Sequence, residues 1–303
     1  MGNRKFVIYI SLGFIIASFV LVLYFFIRKP EKIAPPVAEE GKKVIVFKDV
    51  KYSGEKKGVV DWTMQAKIAR KYLDKPIIEL EDLTGQYKPK DGVIVTFKGT
   101  KGSMDTDTEN GSVENVDVLY KGEYQLKSAY MNFDFKSGIT MTRAPIDITG
   151  EKLTMKGVGL TADTREETVR VERDVSGLIM TLKAKYRFET SRLTHYFKKN
   201  LYILDGKVIF KGEDIDLACE KLLIYTLDQD LERVEAYGKV KVISRGTIAK
   251  SEKAVYHFKE GKIVFTNSPR VLKENVEMKG ESIVYTTGDG KISVNKPKIR
   301  LEK

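Results

Sequence analysis

The chain has 303 residues, 42% hydrophobic and 31% charged, with 53 Lys and Arg against 42 Asp and Glu and a net charge of +11. That balance excludes a wholly disordered chain and a protein of many membrane spans. A single cysteine excludes an intrachain disulfide framework and a cysteine-based metal knuckle, and basic residues scattered without a long run point away from nucleic acid.

Residues 6–27 form an uncharged apolar run flanked by Arg4, Lys5, Arg28 and Lys29. A helix of that length spans about 33 Å, enough to cross a bilayer once. The run exceeds the apolar region of a cleaved signal peptide and ends without a small-x-small site, so residues 1–29 are expected to be an uncleaved anchor. Cations on both flanks leave the orientation open. Residues 30–43, with Pro30, Pro35 and Pro36 and no apolar period, read as a spacer.

From Val44 onward apolar and polar residues alternate in short runs, as in Val116/Val118/Tyr120, Val208/Phe210 and Val240/Val242. Period two predicts strands with one buried face. Only 66–73 offers a possible helical turn.

The strands recur at a longer period. A turn-type residue followed by an apolar one appears at Asp49-Val50, Asp82-Leu83, Asn115-Val116, Pro145-Ile146, Asp174-Val175, Lys207-Val208, Lys239-Val240 and Arg270-Val271, with spacings of 33, 33, 30, 29, 33, 32 and 31. A second column, apolar-polar-apolar-polar-small, ends at Ala66, Gly99, Ser128, Gly157, Ala184, Cys219 and Gly280, with a degraded copy ending at Ser251. A unit of about 31 residues cannot bury its own apolar face, so neighbours must stack, as in a solenoid or a rolled sheet. The small residue is expected at a corner where backbones approach. The fold class is all-β, about eight such repeats after one transmembrane helix.

No catalytic arrangement emerges. His195 and His257 lack a second ligand at metal spacing. Cys219 occupies a column of small residues and reads as a buried filler. The segment 105–111, DTDTENG, is one residue out of step with a calcium loop and reads as a hairpin turn, as do Asp205-Gly206 and Gly288-Asp-Gly290. No enzyme activity and no cofactor are expected. What remains is an interior lined by Trp62, Met64, Phe97, Leu126, Met155, Met180, Leu182, Phe210, Leu217 and Met278. Thioethers and aromatics suit irregular apolar guests, but the same pattern describes a solid core.

The amino-terminal helix, the spacer, Val60-Asp-Trp-Thr-Met-Gln-Ala66 and Ile78-Glu-Leu-Glu-Asp-Leu-Thr-Gly-Gln-Tyr87 resemble LptC, the membrane-anchored component of lipopolysaccharide transport. Leu204-Asp-Gly-Lys-Val-Ile-Phe210, Val234-Glu-Ala-Tyr-Gly-Lys-Val-Lys-Val242, Ala254-Val-Tyr-His-Phe258 and Phe265-Thr-Asn-Ser-Pro-Arg-Val271 resemble its periplasmic partner LptA, the OstA-like family. The resemblance implies an open V-shaped β-jellyroll over 44–190 and an LptA-like continuation over 191–303. It implies a passive path for the acyl chains of lipopolysaccharide, fed by an inner-membrane ATP-binding-cassette exporter, in a protein of the inner membrane whose bulk is periplasmic. Two strand edges, near 44–52 with Lys48 and Lys51 and near 291–301 with Ile292 and Val294, are expected to meet the exporter and another β-jellyroll respectively. The competing reading is an anchored periplasmic scaffold with a solid core and no lipid cargo.

Overall fold

The computed structural model describes residues 37–38 and 44–301, apart from 57–58, 88–94, 109, 121–123, 135–136, 138, 164–165, 167, 182–183 and 228–229. The apolar run 6–27 and nearly all of the spacer lie outside these residues. No helix among the described residues is long and apolar enough to cross a membrane. The described residues fall into two compact units, one holding residues up to 151 with 157–170, the other 152–156 and 171 onward.

The first unit begins with β1 (Val37–Ala38), a two-residue strand on β2 (Val44–Lys56). There follow β3 (Val59–Tyr72), β4 (Ile77–Tyr87), β5 (Val95–Asp105), β6 (Asn110–Tyr120), β7 (Tyr124–Asp134) and β8 (Ile139–Gly150). From β2 to β8 each strand pairs antiparallel with the next, so alternation along the chain becomes one buried and one solvated face. Of residues 66–73, read as a possible helical turn, 66–72 are strand: Ala66, Ala69 and Lys71 pair with Leu83, Leu80 and Ile78. Cross-strand burial outweighed the local helical preference. β5 and β6 form the expected hairpin, with Asp105 pairing Asn110 and its Oδ1 accepting from the Asp107 and Thr108 amides at 2.9 and 2.8 Å.

Strands β9 (Leu153–Asp163) and β10 (Thr168–Met180) carry residues of both units. In the second unit follow β11 (Lys185–Thr190), β12 (Arg192–Tyr196), β13 (Leu201–Lys211), β14 (Asp216–Leu227), β15 (Asp230–Ser244) and β16 (Thr247–His257). Shorter strands complete it: β17 (Lys262–Thr266), β18 (Arg270–Lys273), β19 (Val276–Lys279), β20 (Ser282–Thr286), β21 (Ile292–Asn295) and β22 (Lys298–Leu301). The last long strand, β16, pairs with β17 through 253–257 and with β18 through 247–250. Beyond it the ladders run on separately, β17–β20–β21 and β18–β19–β22, as two half-sheets diverging from one bend.

The two sequence columns mark that bend. Asp49, Asp82, Asn115, Asp174, Lys207 and Lys239 all have left-handed backbones, with φ of 49, 49, 50, 53, 50 and 48°. One such residue inside a strand turns its direction, and Asp and Asn tolerate the conformation better than other side chains. Pro145 cannot follow because its ring fixes φ near −65°. At Arg270 the bend moves back to Asn267 and Ser268, φ 58 and 63°, which separate β17 from β18. Asp205-Gly206, read as a hairpin turn, is instead part of such a bend inside β13. Gly206 (φ 79°) and Lys207 bulge between the pairs Asp205–Lys221 and Val208–Cys219.

The second column faces the inside of the bend, where space is short. A Cβ on Gly99 would sit 2.4 Å from Val113 Cγ1, and one on Gly280 2.5 Å from the Asn295 carbonyl. Its fifth member departs from the sequence reading. Met180 ends β10, the Thr181 amide donates to the Ala184 carbonyl at 2.9 Å, and β11 begins at Lys185, so Ala184 lies in a hairpin rather than at a corner. The segment that occupies the bend is Tyr186-Arg-Phe-Glu-Thr190, of the same pattern, with Tyr186, Phe188 and Thr190 buried.

Candidate functional site

In the first unit, register aligns Met64, Gly85, Phe97, Val118, Leu126 and Ile148 on one face across six strands. Phe97 and Leu126 are buried at 4 and 5% exposure, and the Phe97 ring lies across Gly85, where an added Cβ would meet it at 2.1 Å. Trp62 is two residues from Met64 in β3 and pairs with Tyr87, so the backbone places both on this face.

The second unit carries a longer row. Gly177, Phe188, Phe210, Leu217, Val242, Ala249, Val271, Met278 and Ile299 are paired successively across nine strands. Phe188 to Val271 are all buried, and Met278 is half-buried. Sequence reasoning named Phe210, Leu217 and Met278. It did not place Val242, Ala249 and Val271, smaller members of the same alternation, among the lining residues. The other half-sheet carries Leu204, Leu222, Ala236, Ala254, Phe265, Ile283 and Val294 in one row, buried until Val294.

Met155 is buried in β9. Met180 departs from its expected inward place: it pairs with the exposed Lys185, one residue out of phase with Ile179–Tyr186 and Gly177–Phe188, and lies on the opposite face. Leu182 lies outside the described residues.

Within the second unit the two half-sheets touch far from their bend. The Tyr285 hydroxyl donates to Ser244 Oγ at 3.0 Å, and both residues are buried. Arg245, in the turn after β15, donates through Nη1 to the Gly288 carbonyl at 2.6 Å and pairs through Nη2 with Asp214 at 3.2 Å. Tyr186 stacks on Phe210 at 5.1 Å and meets the edge of Phe258 at 5.9 Å, and burial pushes its hydroxyl up to about 12.

The remaining polar candidates lie within strands. Burial pushes the Cys219 thiol up to about 12, and the thiol donates to the Lys221 carbonyl at 3.3 Å. His195, buried in β12 and stacked on Tyr202 at 3.9 Å, is held down to about 3 by loss of solvent around its charged form. The half-buried His257 ends β16.

At the proposed edges, Lys48 and Lys51 are exposed on β2, whose other side is paired with β1 only at Ile45 and Val46 among the described residues. Strand β21 pairs with β20 alone among them, leaving Ile292 and Val294 half-buried.

Residues 13–180 match the family model described as lipopolysaccharide-assembly, LptC-related. Residues 187–291 match that of the LptA/(LptD N-terminal domain) LPS transport protein. No curated protein sequence matches the chain. Among solved structures, the chain is similar to LptH of Pseudomonas aeruginosa, the LptA homologous periplasmic component of the lipopolysaccharide transport device. The identity is 14%, covering 39% of this chain and 95% of that one, with a TM-score of 0.37.

Proposed function

The chain belongs to the LptC-related family of lipopolysaccharide assembly, and on that basis we propose that it is a passive path carrying lipopolysaccharide from an inner-membrane exporter across the periplasm. The observation that carries this reading is the nine-strand row from Gly177 to Ile299, apolar at every position and set at right angles to the strands. An acyl chain lying along such a row exchanges water for side chains at each strand, and each methylene so covered gains about 0.8 kcal/mol. Strand alternation repeats that environment every 4.8 Å or so, allowing stepwise movement without full exposure to water. No step of this path is chemical. Energy for direction comes from the exporter, which is expected to meet the β2 edge at Lys48 and Lys51 with the chain anchored through residues 1–29. The LptC-like part is assigned to 44–190 and the LptA-like part to 191–303.

The other edge fits a second β-jellyroll. Ile292 extends the row of Ile224, Val234, Tyr256, Ile263 and Tyr285, and Val294 extends that of Phe265 and Ile283. The row of Phe265 and Ile283 is buried until Val294, and the other is buried at Ile224, Val234, Ile263 and Tyr285 with Tyr256 half-buried; both are half-buried at β21, the strand with a free side among the described residues. Strand addition there continues the apolar surface and pairs the free backbone groups.

The solid scaffold is favoured by one observation. Tyr285, Phe265 and Ile283 are at most 2% exposed, and the Tyr285–Ser244 bond joins the half-sheets in front of them. Extraction of the full chain from envelopes in mild detergent, followed by mass spectrometry of bound lipid, separates the readings. Lipopolysaccharide retained by the native chain and reduced when Phe210 and Leu217 are replaced by Asp supports the path. A well-folded chain without lipid supports the scaffold.

A further inference from the structure

The outward face of one half-sheet carries a row of cations. Lys241 pairs with Lys250, Lys250 with Arg270, Arg270 with Lys279 and Lys279 with Lys298, so five cationic positions stand directly opposite one another on adjacent strands. At the usual strand spacing the row is about 19 Å long. The first four side chains are exposed, and they line one open groove at the bend with Lys239, Ser251, Gly280 and a single carboxylate, Glu252. Glu277 reaches Lys279 at 2.9 Å, but among the described residues no carboxylate forms an ion pair with Lys241, Lys250 or Arg270. Like charges directly opposite weaken a sheet.

The first unit handles the same situation differently. Its outward row reads Lys98, Asp117, Lys127, Asp147 on successive strands, alternating in sign, with Lys98 Nζ 3.3 Å from Asp117 Oδ2. In the second unit's row Lys279 alone of the four exposed cations forms an ion pair among the described residues.

Beside the cations runs an apolar row on the same face, Ile243, Ile248 and Leu272, with Ile243 38% exposed. A face with adjoining apolar and cationic rows has the arrangement of a membrane-surface element, here built from strands. Four of the five cations are Lys, a point charge on a flexible stem suited to mobile phosphates; fixed carboxylates would favour the planar fork of Arg.

We infer that this face of β15, β16, β18 and β19 docks on the surface of a bilayer rich in anionic phospholipid. Ile243, Ile248 and Leu272 enter the headgroup layer and the cation row meets lipid phosphates. This contact is independent of any lipid held inside.

The test uses the full chain held in phosphatidylcholine nanodiscs and mixed with vesicles of phosphatidylcholine, with or without phosphatidylglycerol, which are then floated. Vesicles with phosphatidylglycerol should carry the chain upward, and added salt should release it. The triple variant Lys241→Gln, Lys250→Gln, Arg270→Gln should bind them on the order of a hundredfold more weakly. Its melting temperature should match or exceed that of the native chain, since like-charge pairs are removed. Replacing the exposed Lys101, Arg143 and Lys185 by Gln should leave capture unchanged, and Ile243→Ser should weaken it with the same salt dependence. Equal capture without phosphatidylglycerol, or full capture by the triple variant, overturns the inference. Binding of a polyglutamate peptide in place of the vesicles, lost in the same variant, would overturn it in favour of an acidic protein partner.

Discussion

The Ser251 hydroxyl donates to the Lys253 carbonyl at 2.9 Å, bridging the bend of β16 from inside. The same two-residue reach recurs in Ser128 to Tyr130 at 3.2 Å, Thr190 to Arg192 at 3.2 Å and Cys219 to Lys221 at 3.3 Å. At the bend a short side chain with one donor supplies a hydrogen bond to the carbonyl two residues on. Where the column holds Ser, Thr or Cys the side chain is a donor as well as small, whereas Ala66, Gly99, Gly157 and Gly280 meet the demand for size alone. Ser251→Ala should cost about 1 kcal/mol in urea unfolding, while Cys219→Ser, which keeps the donor, should cost less than Cys219→Ala.

Steric demand at the bend is sharper where the column holds glycine. Gly280→Val places its Cβ against the Asn295 carbonyl and Val294 Cγ1, at 2.5 and 2.6 Å. Backbone cannot yield as a flexible side chain does, so this variant should lose more stability than Cys219→Ala, by about 1 to 3 kcal/mol. A midpoint equal to that of Cys219→Ala would contradict the placement of Gly280 inside the bend.

Lys207 holds φ 50° in the middle of β13. A branched side chain at positive φ is strained, so Lys207→Val should destabilise by about 1 to 2 kcal/mol, whereas Lys207→Gly should be close to neutral. Equal effects of the two would show that the bend does not depend on this residue's conformation.

His195 links stability to acid. Its folded value is lowered to about 3 from an ordinary 6.5, so the unfolded chain binds the extra proton between those limits. The contribution is fully present above about pH 6.5 and is lost as pH falls toward 3, at about 1.4 kcal/mol per pH unit. Thermal unfolding at pH 7 and pH 5 should show a drop that shrinks in His195→Gln; an identical drop would place the acid sensitivity elsewhere.

Much of the fold was legible because the bend recurs. The αL residue is Asp, Asn or Lys at six of the eight positions, its inner neighbour is small, and both return every 29 to 33 residues, as at Asp82-Leu83 with Gly99 and Asn115-Val116 with Ser128. The slip at Met180 has a physical origin. Met180-Thr-Leu-Lys-Ala184 and Tyr186-Arg-Phe-Glu-Thr190 present the same alternation, and only the hairpin bond from Thr181 to Ala184 distinguishes turn from bend. The cation row was illegible for another reason. Lys241, Lys250, Arg270 and Lys279 are scattered along the chain and become neighbours only through register.

Site-specific photocrosslinking in cells tests the lipid path most directly, because it compares opposite phases of the same strands. A photoreactive residue at Leu217 or Met278, on the inward row, should label lipopolysaccharide, and one at Ala218 or Lys279, a single residue away on the outward face, should not. Equal labelling of both phases, or labelling of the outward positions alone, would contradict the account.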